Sequence, residues 1–140
     1  MKRILVAVLL TFVALSAFGQ ARNASGTLVA SAAYTATQNS QDMVFENLIG
    51  VHVIIDVTAV TTGTLTPKIQ GKDPASGKYY DVLVGAAISG TGTTVIKVYP
   101  GIAPSASAAA QDILPRTWRV VLTKSDASSW TYSVGYNAGY

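Results

Sequence analysis

The chain has 140 residues and no cysteine, so it is long enough for one hydrophobic core but has no disulfide, thiol nucleophile or cysteine-ligated metal. Only 12% of its residues are charged, against a usual level of about 25%, and its single histidine excludes a cage of several histidines around a metal. The net charge is +3, but Lys2 and Arg3 supply two of the ten basic residues. From residue 21 onward eight basic side chains face seven acidic ones, so nucleic acid is not an expected partner.

Residues 1–20 have the layout of a secretory signal peptide. The basic start is followed by an apolar run from Ile4 to Ala17, and the triplet that ends at Gly19 fits a small-x-small cleavage site. The run is shorter than the ~20 residues that a membrane-spanning helix needs, so no stable membrane span is predicted. Two interpretations remain open. Cleavage of residues 1–19 would make the protein periplasmic or extracellular, whereas an intact segment would be a hydrophobic arm that docks on a partner in an assembly.

From Ser25 onward the apolar residues recur every second position, which is the period of a half-buried strand. The strands are short and are separated by Gly, Pro, Asn, Asp and Ser. Residues 21–140 are therefore predicted to form one all-β domain, an antiparallel β-sandwich (Ig-like or jelly-roll-like) of about 7–8 strands. The predicted strands are Thr27–Thr37, Met43–Leu48, Gly50–Val60, Leu65–Gln70, Tyr79–Val84, Thr93–Tyr99, Thr117–Lys124 and Trp130–Tyr136.

The same alternation predicts which side chains enter the core. Three strands carry long apolar rows on one face, and polar residues such as His52 occupy the other face. The predicted inward residues are Val51, Val53, Ile55 and Val57 of one strand, Trp118, Val120 and Leu122 of the second, and Trp130, Tyr132, Val134 and Tyr136 of the third.

Three connections stand out between these strands. The segment 71–78 is predicted to be a turn, because the Asp73-Pro74 pair favours turn initiation and Gly77 can adopt a positive φ. Its flanking cations, Lys72 and Lys78, keep the tip soluble, and a binding loop is the alternative. The glycine-rich stretch 89–94 lacks the lysine and helix of a phosphate loop and is predicted to be a hairpin turn. The proline-containing stretch 100–118 is too long for a hairpin and is predicted to cross between sheets.

No catalytic set is evident. His52 is the only imidazole, and it alternates with core valines, so it is expected to face solvent or a neighbouring subunit. There is no G-x-S-x-G elbow, and the carboxylates are scattered through turns and outward strand positions, which disfavours a paired-acid site. We therefore expect no enzyme activity, no cofactor and no metal. The acids are Asp42, Glu46, Asp56, Asp73, Asp81, Asp112 and Asp126.

Aromatic residues crowd the second half of the chain. The two tryptophans fall on inward positions and are expected in the core, whereas Tyr136 and Tyr140 lie where the last strand ends and are predicted interface residues. His52, Lys72 and Lys78 complete the set of predicted interface residues. An alternative is a secreted carbohydrate-binding module, in which exposed aromatic rings would form a platform for stacking sugars.

Four stretches carry a resemblance to a known group of proteins: IQGKDPASGKYYDVL, GTGTTVIKVYPG, ILPRTWRVVL and DASSWTYSVG. Together they resemble small β-sandwich structural proteins of tailed bacteriophages, over about Arg22 to Gly135. The resemblance implies a non-enzymatic minor capsid, decoration or fibre-associated protein of the virion. Such a protein would bind copies of itself, as a homo-oligomer, and a shell or tail protein. The shared motifs are turns and strands, so no functional residue is transferred, and the signal-like start departs from a particle that is assembled in the cytoplasm.

Overall fold

The computed structural model describes residues 23–139, and these form two packed β-sheets. The predicted N-terminal segment, its cleavage site and Tyr140 lie outside the described residues. No helix long and apolar enough to cross a bilayer occurs between residues 23 and 139. The strands are β1 (Ala24–Tyr34), β2 (Gln38–Asn39), β3 (Met43–Val44), β4 (Gly50–Val60), β5 (Leu65–Lys72), β6 (Tyr79–Val84), β7 (Gly92–Val98), β8 (Ala109–Ala110), β9 (Thr117–Lys124) and β10 (Trp130–Gly139).

Sheet A has the strand order β1-β10-β4-β7-β8, and sheet B has the order β2-β9-β5-β6, with β3 also paired to β9. All pairs are antiparallel except β7 with β8. The predicted all-β sandwich is therefore confirmed. The strands that were not predicted have only two residues each. They are too short to show an alternation of apolar and polar residues in the sequence.

The core lies between the sheets and consists of the alternate residues that the sequence indicates. Trp118 from sheet B, and Trp130 and Tyr132 from sheet A, are fully buried. The whole inward row of β4 is buried as well, so the predicted strand register is confirmed there. A shift of one residue would have exchanged the core and solvent faces of these strands.

One predicted strand is much shorter than expected. The segment 43–48 forms ladder pairs with β9 only at Met43 and Val44. Asn47 adopts a φ of 72°, a left-handed conformation that is incompatible with an extended strand. The alternation of apolar residues continues past Val44, but the ladder pairing with β9 ends at that residue.

The three predicted connections had different outcomes. The 71–78 turn is confirmed: Gly77 has a φ of 71°, and the Asp73 carboxylate accepts a hydrogen bond of 3.0 Å from the Ala75 backbone N–H. The 100–118 segment does cross from β7 in sheet A to β9 in sheet B. The hairpin prediction for residues 89–94 is wrong, because β6 and β7 lie in different sheets and this stretch joins them.

Candidate functional site

A groove of about 450 Å³, which we call the end groove, lies at one end of sheet A, and Gly50, Gly139, His52, Tyr99 and Asn23 are among its lining residues. Because Val51 and Val53 are buried in the core, the neighbouring Gly50 and His52 face outward from β4. The groove therefore opens on the outer face of the sandwich.

The floor of the end groove is a pair of glycines. Gly50 and Gly139 lie opposite each other in the β4–β10 ladder, so two adjacent strands lack side chains at the same level. A Cβ atom at Gly50 would collide with the Cβ atom of Tyr99 and with the Val98 carbonyl oxygen. The depression therefore depends on glycine, and Tyr99 forms one of its walls.

His52 lies in the end groove next to Tyr99, with 5.7 Å between ring centroids and an interplanar angle of 34°. Partial burial, and then the nearby positive charge of Lys97, lower the pKa of the His52 imidazole below its usual value of 6.5. The imidazole is thus neutral at pH 7, and none of the groove-lining residues between 23 and 139 carries a formal charge. The structure places the predicted interface residue His52 in this site; its contact with a partner remains a prediction.

One exposed isoleucine lines the end groove, and a second precedes a residue that is hydrogen-bonded to the first. Ile49 lines the groove and is 53% exposed, and Ile113 is 69% exposed. The backbone N–H of Leu114 donates a hydrogen bond of 3.4 Å to the carbonyl of Ile49, which brings the two segments together. We call the end groove with Ile49 and Ile113 the apolar end. The sequence did not lead us to predict the apolar end. The available signal was Ile113, an isoleucine in a loop between Asp112 and a leucine-proline pair.

The opposite outer face, on sheet B, is polar and internally paired. The Lys72 ammonium lies 2.8 Å from the Asp42 carboxylate, which also accepts a 2.7 Å hydrogen bond from the Tyr79 hydroxyl. These contacts lower the pKa of Asp42, chiefly through the hydrogen bond from Lys72, and the same bond raises the pKa of Lys72. Lys72 therefore links β5 to the segment between β2 and β3, whereas Lys78 forms no salt bridge within residues 23–139.

The polar face continues across three strands. The Arg119 guanidinium stacks 3.4 Å from the centre of the Tyr79 ring and donates a 3.0 Å hydrogen bond to the Gln70 side-chain carbonyl. The Gln70 amide donates in turn to Asp81, which also pairs with Lys68 at 3.0 Å. The polar groups of sheet B are thus paired with one another, although the strands of this sheet also carry three exposed apolar side chains, Val44, Tyr80 and Val84.

Tyr136 is not exposed, contrary to its prediction as an interface residue. It is 8% exposed and packs edge-on against Trp118, with ring centroids 6.0 Å apart. Gly26 lies against its ring and leaves space for it, since a Cβ there would sit 3.0 Å from the ring. The strand continues to Gly139, so Tyr136 keeps its inward position in the alternation instead of lying at a free end.

The geometry gives little support for a metal site or a sugar-binding site. Within residues 23–139, no three His, Asp or Glu side chains are grouped so that they could hold a metal ion. Both tryptophans are fully buried, so neither can form a stacking platform for sugars.

No protein-family model matches the chain, and no curated protein is similar to it in sequence. Among solved structures, a chain in the structure of the infectious bursal disease virus Gx strain matches with a TM-score of 0.46 and 16% sequence identity. The match covers 86% of this chain and 32% of that chain, so this chain spans about a third of the viral chain's length.

Proposed function

We propose that the protein is a non-enzymatic structural or attachment protein of a virion or another surface assembly, where it acts through protein–protein contacts. The observation that carries the proposal is the apolar end, where Ile49 and Ile113 are more than half exposed and the described residues that line the groove carry no formal charge. Exposed apolar side chains that adjoin a groove are typical of protein interaction sites. The bacteriophage resemblance of the sequence supports a minor capsid, decoration or fibre-associated role.

The size of the apolar end indicates a weak contact that is repeated many times. Full burial of one isoleucine side chain is worth about 1.5–3 kcal/mol, so two half-exposed isoleucines contribute a few kcal/mol at most. A free energy near −4 kcal/mol corresponds to a dissociation constant of about 1 mM. Such contacts hold a protein firmly only when many copies bind together, as on a symmetric particle.

The carbohydrate-binding alternative has less support. It requires at least two exposed, coplanar aromatic rings, and both tryptophans are in the core. The two rings that line the end groove within residues 23–139 belong to His52 and Tyr99, and their planes are tilted by 34°. These two rings therefore do not form a flat surface for stacking sugars.

The test is attachment to purified particles or surface assemblies from cells that make the protein. The wild-type chain is expected to co-sediment with them, and the variants Ile49→Ser and Ile113→Ser are expected to remain folded but to be released. Val84→Ser is the matched control, because Val84 is also an exposed apolar residue but lies on β6 in sheet B. A wild-type chain that is absent from such assemblies, or isoleucine variants that attach normally, would refute the proposal.

The native N-terminus decides between the two locations. A mass near that of a chain starting at Gln20 or Ala21 means export, whereas a chain starting at Met1 or Lys2 favours an intact arm and assembly in the cytoplasm.

A further inference from the structure

The two sheets have very different edges. In sheet A, β8 is two residues long, and in sheet B the strands β2 and β3 along one edge are also two residues each. The other edge of sheet B, β6, has six residues and carries Asp81, which is paired with Lys68. The remaining edge, β1, has eleven residues and pairs with β10 on one side only. It is the longest edge strand within the described residues.

The β1 edge lacks two common protections. Natural edge strands avoid edge-to-edge pairing through lysine or other charges, proline, bulges or short length. The β1 sequence ASGTLVASAAY contains no charge and no proline, and the first charged residue after it is Asp42. A row of backbone N–H and C=O groups therefore faces solvent beside small side chains.

Bulges restrict which part of β1 can accept another strand. Its register against β10 shifts between Thr27 and Val29 and again between Val29 and Ala32. The Tyr34 hydroxyl also donates to the Ala30 carbonyl at 2.7 Å, which satisfies one group of the second half. By contrast Ala24–Thr27 pairs with β10 without interruption, and among the described residues no other strand pairs with its outer side.

We infer that the Ala24–Thr27 edge pairs with the same edge of a second copy of this chain, antiparallel and about a twofold axis. An isologous contact brings the same surface together, so a run without charges meets itself without like-charge repulsion. Its Ala, Ser, Gly and Thr side chains are small enough for the two strands to approach. Strand addition of this kind gains main-chain hydrogen bonds that a monomer leaves to water.

The end groove adjoins this contact. Asn23 and Ser25 line the groove, and Ser25 belongs to the proposed pairing run. Pairing therefore places the apolar ends of the two copies next to each other, so one dimer presents two weak sites to a larger partner. The inference rests on the proposed function in this respect, and it names a second copy as one of the partners.

The experiment measures self-association by sedimentation equilibrium. The wild-type chain is expected to dimerise, and Thr27→Lys is expected to raise the dissociation constant of the dimer by about tenfold, because a charge enters the paired edge. Ala33→Lys is the control on the same strand beyond both bulges, and it is expected to dimerise like the wild type.

A charge-swap mixture separates lost pairing from lost folding. Thr27→Lys and Thr27→Glu are each expected to dimerise about tenfold more weakly than the wild type, and their mixture is expected to recover the wild-type dissociation constant. Hydrogen exchange at Ala24–Thr27 should also slow as the wild-type concentration rises. A wild-type chain that stays monomeric at its highest soluble concentration, or a Thr27→Lys chain that dimerises normally, would overturn the inference. Attachment through the isoleucines would still test the proposed function separately.

Discussion

The two buried tryptophans differ in whether the indole N–H has a hydrogen-bond partner, and this difference predicts responses of different size to the same replacement. The Trp130 indole N–H donates to the Thr62 carbonyl at 2.8 Å and to the Ser128 hydroxyl at 3.2 Å. The Trp118 indole N–H is buried with no partner within residues 23–139. We expect Trp130→Phe to destabilise the protein more than Trp118→Phe.

The expected difference can be worked out from the structure. Both replacements remove the same atoms from fully buried positions, so their packing losses are comparable. Trp118→Phe also removes a buried donor without a partner, which relieves roughly 1–3 kcal/mol, whereas Trp130→Phe loses one N–H donor, shared between two acceptors, whose hydrogen bonding is worth roughly 0.5–1.5 kcal/mol. The two variants should therefore differ in free energy of unfolding by roughly 1.5–4.5 kcal/mol.

Urea denaturation followed by circular dichroism measures this difference without relying on tryptophan fluorescence. The comparison requires equal denaturant slopes, so that a midpoint shift reports stability. Trp118→Ala is the size control and should cost about 3–5 kcal/mol. If Trp118→Phe were as destabilising as Trp130→Phe, the unpaired indole would be an incorrect description of this core. A shift near zero for Trp118→Ala would mean that the β9 register is wrong by one residue.

Three further predictions follow from single contacts. Burial raises the pKa of the Tyr132 hydroxyl above its usual value near 10. The unfolded chain therefore loses this proton at a lower pH than the folded chain, so the free energy of unfolding should fall as the pH rises above about 10. In unfolding measured against pH, Tyr132→Phe should remove up to about 1.4 kcal/mol of that fall per pH unit. Gly50→Ala introduces a Cβ that meets backbone and side-chain atoms, and it should lower the free energy of unfolding by about 1–3 kcal/mol in thermal unfolding. The control Gly90→Ala places its Cβ in open space and should change that free energy by less than about 0.5 kcal/mol. Equal effects of the two variants would contradict the described groove floor. Lys72→Ser breaks a partly exposed ion pair and should lower the free energy of unfolding by less than about 1 kcal/mol in urea denaturation. Lys78→Ser should cause no measurable change. A larger loss of stability in either variant would give the 71–78 turn a role beyond connecting two strands.

Much of the sandwich could be predicted because strand alternation is a local property. Successive side chains on a strand point to opposite sides, so the faces of β4, β9 and β10 follow from spacing alone. The same alternation placed Tyr136 on the inward row of β10, where the structure has it. Its assignment to an interface relied on the expected end of the strand, and strand ends are the least local part of such a pattern.

Other errors came from backbone conformation and strand partners. The early end of β3 depends on the positive φ of Asn47, which its sequence neighbourhood does not reveal. The stretch 89–94 contains turn residues, but whether a turn returns within a sheet or crosses to the other depends on where the next strand pairs.

The sequence alone determined the all-β class, the inward rows of the main strands and the uncharged character of β1, because each follows from the order of neighbouring residues. Only the tertiary structure decided the apolar end, since Gly50 meets Gly139, and Ile49 approaches Leu114, across strands and loops far apart in the chain. It also decided that Lys72 is held by Asp42. Such sites depend on which strands pair and in which register, and that choice is made by the packing of the whole core.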